Sequence, residues 1–238
     1  NKIYSMLLLT IIFYSALALW TILIGILSFP YIFLPSKYIR FPAKIWIKGI
    51  FILLKYICGV THEVKGSKNL TEEPLIIVSK HQSAFETFAL YYYLDSSFFI
   101  HKKQLFYIPI FGQYLLKSNM VSIDRAGQAR AMRKMILDVK KKLDDGSTII
   151  IFPEGTRKKP GEKADYKTGF VGIYNTAKRK LQPVALNSGL YWQKGAKIIK
   201  KGHIVIEFLP QIEIGLDKKE ILEKVEYSIE LATNKLLG

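Results

Sequence analysis

The chain has 238 residues, half of them hydrophobic, with 35 Lys and Arg against 19 Asp and Glu and a formal net charge of +16. That much apolar residue excludes a disordered basic tail protein, and the single cysteine, Cys58, excludes a disulfide-stapled secreted scaffold. The cation excess leaves nucleic acid or an anionic membrane surface as the partner class, and no Cys/His cluster has the spacing of structural zinc.

Taken in chain order, the charge pattern decides between those partners. No charged residue occurs from Ile3 to Ser36, a run long enough to cross a hydrocarbon core, although Gly25 and Pro30 interrupt it. It lacks the short apolar region and small-residue cleavage site of a signal peptide. Residues 38–60 then set Arg40, Lys44, Lys48 and Lys55 among Ile, Trp, Phe and Leu, at spacings that predict one cationic helix face. Positions 1–62 carry no Asp or Glu. An apolar helix followed by a basic amphipathic one predicts a membrane-anchoring pair over 1–60, with anionic lipids as partner and no nucleic acid. The positive flank predicts a working face toward the cytoplasm.

From residue 61 to 238 the pattern predicts one α/β domain. Strands are expected at 74–79, 97–101, 147–152, 181–186 and 204–209. Helices are expected near 84–94, 104–117, 125–144, 168–180 and 217–237. Such alternation favours a mixed sheet covered by helices.

Two strand ends carry candidate chemistry. The first leads into Lys80-His81-Gln82-Ser83-Ala84-Phe85-Glu86. Histidine suits proton transfer near neutral pH, and a carboxylate on its other ring nitrogen fixes the tautomer. On one regular helix, five residues of separation would place the two about 140° apart. The pair therefore needs His81 in a loop and Glu86 in the first turn of the next helix. Ser83 with Glu86 three residues on also reads as a capping box. The second strand opens into Phe152-Pro153-Glu154-Gly155-Thr156-Arg157, where Gly155 permits close backbone approach and Arg157 offers a fork for phosphate. Lys103 and Arg125 lie between the two sites as further candidate cations.

These segments, together with Pro109, Gly112 and Leu181-Gln182-Pro183-Val184-Ala185-Leu186-Asn187-Ser188-Gly189, stand in the order of the four motif blocks of glycerolipid acyltransferases. The chain most resembles the bacterial 1-acyl-sn-glycerol-3-phosphate (lysophosphatidic acid) acyltransferases across about residues 60–210. The resemblance implies a sheet of the glycerol-3-phosphate acyltransferase type and acyl transfer from a thioester to the sn-2 hydroxyl of lysophosphatidate, giving phosphatidic acid. It implies His81 as base, Glu86 as its orienting acid, and Lys103, Arg125, Glu154, Gly155, Thr156 and Arg157 in substrate binding. Of these, Arg157 and Lys103 take the phosphate, while Glu154 orients a cation or the glycerol. The attack is direct, with no acyl-enzyme, and backbone N–H groups after His81 are the expected oxyanion donors. No cofactor is implied; the donor is acyl-CoA or acyl carrier protein, and the latter is a candidate protein partner. Three positions depart from the family: Glu86 replaces its usual Asp, Gln104 a frequent Glu, and Lys80 a frequent Asn. Other acceptors (a lysophospholipid, a lyso-aminolipid, glycerol 3-phosphate) and a non-catalytic lipid-binding role remain alternatives.

Overall fold

The computed structural model describes residues 2–71, 75–107, 111–118, 120–123, 128–195 and 198–238. Seven strands form one sheet: β1 (Val60–Lys65), β2 (Ile76–Ser79), β3 (Ser97–Lys102), β4 (Val121–Ile123), β5 (Thr148–Ile151), β6 (Leu181–Leu186) and β7 (Gly202–Phe208). Their spatial order is β1-β7-β6-β2-β5-β3-β4. Pairing is parallel everywhere except between β6 and β7, so the sheet is mixed, as expected. β1 and β4 are not among the predicted strands. β1 is a half-exposed partner of β7 carrying Glu63 and Lys65, and β4 has three residues.

Among the described residues seven α-helices flank the sheet: α1 (Lys2–Leu27), α2 (Arg40–Leu53), α3 (Phe85–Tyr93), α4 (Phe111–Lys117), α5 (Gln128–Asp144), α6 (Gly169–Ala177) and α7 (Lys218–Leu237). The single helix predicted over 104–117 is instead a 3-10 turn, Lys103–Tyr107, and the separate α4. Side chains alternate across a strand, and β2 shows the consequence. Leu75 and Ile77 join a core with Phe13 of α1, Ile47 and Ile50 of α2, and Phe85 and Leu90 of α3. Ile76 and Val78 join the opposite core with Val139 of α5, Phe170 of α6, and Ile221, Val225 and Ile229 of α7. The first helices and the last thus lie on opposite faces of one sheet.

The N-terminal helices share the first core; they are not a detached anchor. Trp20 donates to the carbonyl of Trp46 at 3.0 Å, and the indole lies so close to Gly49 that a Cβ there would stand 2.1 Å from it. Thr10 accepts from Ile199 N, and Tyr114 donates to the carbonyl of Gly25. Ile3, Leu8, Leu19, Ile22, Ile26 and Leu27 remain bare. Residues 3–27 are long and apolar enough to cross a membrane.

The predicted cationic face of α2 is only half present. Arg40 turns inward: its guanidinium stacks 4.2 Å from the Tyr91 ring and donates to the carbonyls of Tyr91, Leu94 and Ser97. Those carbonyls lie at and beyond the C-terminus of α3, where helical partners run out. Lys44 pairs with Asp95 at 2.6 Å, and Lys48 and Lys55 stay exposed.

Candidate active site

The loops after β6, β2, β5 and β3 meet at one edge, because these four neighbouring strands run parallel and present their C-termini together. Open α/β sheets place ligand sites at such edges. The loop after β2 carries His81, that after β5 carries Glu154–Arg157, that after β6 carries Ser188, and that after β3 carries Lys103.

His81 stands in the loop and Glu86 in the first turn of α3, the arrangement that the spacing requires. His81 Nδ1 lies 2.8 Å from Glu86 Oε1. A carboxylate only accepts, so Nδ1 carries the proton and Nε2 is left basic. The imidazole stacks on Phe152, the residue ending the β5 run, at 3.9 Å between centroids and 13° between planes. Phe152 in turn stacks on Phe99 of β3. His81 is 15% exposed and Glu86 fully buried. Nε2 has no hydrogen-bond partner among the described residues.

The capping box is met only in part, on the Glu86 side. Glu86 Oε1 accepts from Gln82 N and Ser83 N, both at 2.6 Å, while Ser83 Oγ accepts from Phe85 N. The exchange precedes the helix, whose cap position is Ala84. Ser83 is therefore not the helix cap, and Glu86 serves to fix the loop that carries His81. A consequence touches the expected oxyanion donors: the N–H groups of Gln82, Ser83 and Phe85 are already bonded within the loop.

Glu154 takes the cation-orienting part of its expected role, and it does so inside the protein. It is 3% exposed, with Oε1 accepting from Lys80 Nζ at 2.7 Å and Oε2 from His81 N at 3.0 Å. Burial holds its carboxyl above the ordinary 4.5, against the lowering effect of Lys80. Each oxygen accepts a hydrogen bond within the protein, and the one on Oε2 holds the backbone N–H of His81. Lys80 also meets Glu230 of α7 at 2.7 Å, and Tyr166 donates to the same Glu230 oxygen at 2.9 Å. Sequence reading did not foresee this cluster. The alternation along β2 was its signal: one residue before His81, Lys80 must face the opposite side, toward α6 and α7.

The turn after β5 closes with Gly155 N donating to the carbonyl of Phe152, and Gly155 sits at φ +65°, where a side chain would be strained. Thr156 is exposed and accepts from Lys194 Nζ at 3.4 Å. Arg157 is half-buried and has no hydrogen-bond or ion-pair partner among the described residues, while its neighbour Lys158 N donates to the carbonyl of His81 at 2.8 Å. Lys103 is exposed and likewise without partner among the described residues. Arg125 and Pro109 lie outside the described residues.

The profile of the acyltransferase family matches residues 61–187, from β1 to the end of β6 and including both strand-end motifs. This chain belongs to the acyltransferase family. The acyltransferase is 32% identical over 188 residues to the 1-acyl-sn-glycerol-3-phosphate acyltransferase of Pseudomonas aeruginosa, covering 78% of this chain and 73% of that protein. It is 37% identical over 132 residues to the protein of that name in Helicobacter pylori, covering 55% of this chain and 54% of that one. Its fold superposes on the crystal structure of the 1-acyl-sn-glycerophosphate acyltransferase of Thermotoga maritima with a TM-score of 0.80 and 25% identity, over 99% of this chain and 98% of the other. The acyltransferase fold expected from the motifs is therefore the one present, N-terminal helices included.

Proposed function

We propose that this acyltransferase moves a fatty acyl group from an acyl thioester, acyl-CoA or acyl carrier protein, to the sn-2 hydroxyl of 1-acyl-sn-glycerol 3-phosphate at a membrane surface. The observation that carries the reading is the His81–Glu86 pair: one ring nitrogen is held by a buried carboxylate, and the other has no partner among the described residues at the strand-end edge. The names of the relatives support the acceptor.

In the proposed reaction His81 Nε2 takes the hydroxyl proton as the oxygen attacks the thioester carbonyl. The tetrahedral intermediate then collapses and expels the thiolate, which recovers that proton from His81. Glu86 stays ionised and stabilises the imidazolium formed between the two steps. Arg157 binds the acceptor phosphate, with Lys103 adding positive charge at the same edge and Arg125 a third candidate. The donor is a substrate, and no bound cofactor takes part.

The bare apolar side of α1 and the exposed aromatics Phe29, Phe33, Tyr38 and Phe41 support seating in a bilayer interface, where the acceptor resides. Lys37, Lys48 and Lys55 add attraction to anionic lipids and favour an active site on the cytoplasmic side. Vesicle-reconstituted protein given radiolabelled lysophosphatidate and palmitoyl-CoA is expected to form phosphatidate, and the His81→Ala protein is not. Equal product from both would sink the mechanism. Product from neither donor class, with the fold intact, would sink the substrate assignment.

A further inference from the structure

We propose that Ser188 is a positioning residue for acyl transfer, its buried hydroxyl holding the second oxygen of Glu86 so that the first stays aimed at His81. The inference deepens the proposed base role of His81 and rests on it. Glu86 Oε1 is approached by His81 Nδ1 and two backbone N–H groups, but Oε2 receives a single hydrogen bond among the described residues, from Ser188 Oγ at 2.7 Å. The terminal torsion of a glutamate is broad, so three donors on one oxygen anchor that atom without setting the carboxylate plane. A donor from the far side sets it. Ser188 comes from the strand next to β2, which makes that side independent of the His81 loop.

Ser188 is itself held still. It is fully buried, and its carbonyl accepts from Tyr191 N and Trp192 N. Asn187 before it accepts from Val205 N at 2.8 Å, and Gly189 after it donates to Gln82 Oε1 at 3.1 Å. A Cβ on Gly189 would lie 2.8 Å from Gln82 Cβ and 2.9 Å from Pro160 Cγ, so the turn is pressed against the residue following His81. Oxygen geometry explains the pairing with glutamate. From the same Cα, an aspartate is one methylene shorter, so its carboxylate would not reach the place where Glu86 meets His81 and Ser188 together. Glu86 and Ser188 thus form a matched pair.

The test uses the full chain in vesicles, with His81→Ala assayed beside it. Ser188→Ala is expected to lower kcat roughly ten- to a hundred-fold, the scale of one buried hydrogen bond to a charged group, with KM for both substrates within about two-fold. Ser188→Cys keeps the volume but donates weakly, and is expected between Ala and wild type; it carries the test if Ala lowers the melting temperature. Glu86→Asp is expected to make Ser188→Ala nearly silent, a non-additivity that a merely structural serine does not produce. Wild-type kcat in both serine variants, a change confined to KM, or a full Ser188→Ala effect on the Asp background overturns the proposal. Wild-type turnover by His81→Ala would instead overturn the base role beneath it.

Discussion

Lys80 and His81 are neighbours in the chain, yet each sits against a buried carboxylate of a different kind. On the side of α3, Glu86 is surrounded by an imidazole, two amides and a hydroxyl, none of which carries a permanent charge. On the side of α6 and α7, Glu154 is neutralised by Lys80, which in turn is shared with Glu230. A carboxylate satisfied by neutral donors keeps its negative charge available to an imidazolium. One paired to a lysine has that charge compensated and serves as a fixed post. Here the post holds His81 by its backbone N–H, so the two sides meet at one residue.

The contrast predicts opposite phenotypes. His81→Ala should lower turnover by roughly 10²- to 10⁴-fold, the range for a general base, while leaving the urea midpoint unchanged. Lys80→Met should do the reverse first, costing about 3–5 kcal/mol of stability because it leaves Glu154 buried and unpaired. A stable Lys80→Met protein with lost turnover would show that Lys80 acts in the chemistry, and the comparison would fail.

The Lys80→Met deficit should also depend on pH. Burial raises the Glu154 carboxyl above 4.5, so its contribution to stability is full below that value and is lost as pH rises through the folded value. Removing Lys80 removes a lowering influence and raises the folded value further. The deficit is therefore expected to be largest near pH 7.5 and to shrink toward pH 4.5, as read by urea unfolding at each pH. Smaller again is Glu230→Gln, which leaves the Lys80–Glu154 pair in place and a partly exposed neutral acceptor for Tyr166; about 1 kcal/mol is expected. The smallest effect is Tyr166→Phe, at most about 1 kcal/mol, since Glu230 keeps Lys80. A larger loss from Tyr166→Phe than from Lys80→Met would invert the order and with it the role given to the lysine.

The His81–Glu86 contact was legible because its demand is local: five residues of separation, a strand end before and a helix start after. The capping signal at Ser83 and Glu86 was equally local but only half right: Glu86 accepts from Ser83 N, while the helix cap is Ala84 and Ser83 Oγ accepts from Phe85 N. The cations of α2 misled for a related reason. Helical periodicity places Arg40, Lys44 and Lys48 on one side, but cannot say that the C-terminal carbonyls of α3 lie within reach of the first of them. The break within 104–117 and the strand β4 escaped because runs of three to seven residues carry too little periodic signal to separate strand, 3-10 turn and helix.

By itself the sequence determined which elements alternate, where the strand-end motifs fall, that residues 3–36 carry no charged side chain, and which histidine had a carboxylate at loop-to-helix spacing. These follow from neighbours within a few residues, where backbone geometry is the main constraint. Only the tertiary structure decided that Glu154 faces inward, that a glutamate from the last helix sits on Lys80, and that Ser188 completes Glu86. Those partners are 73 to 150 residues apart, and nothing short of the strand order β6-β2-β5 brings them to the same place.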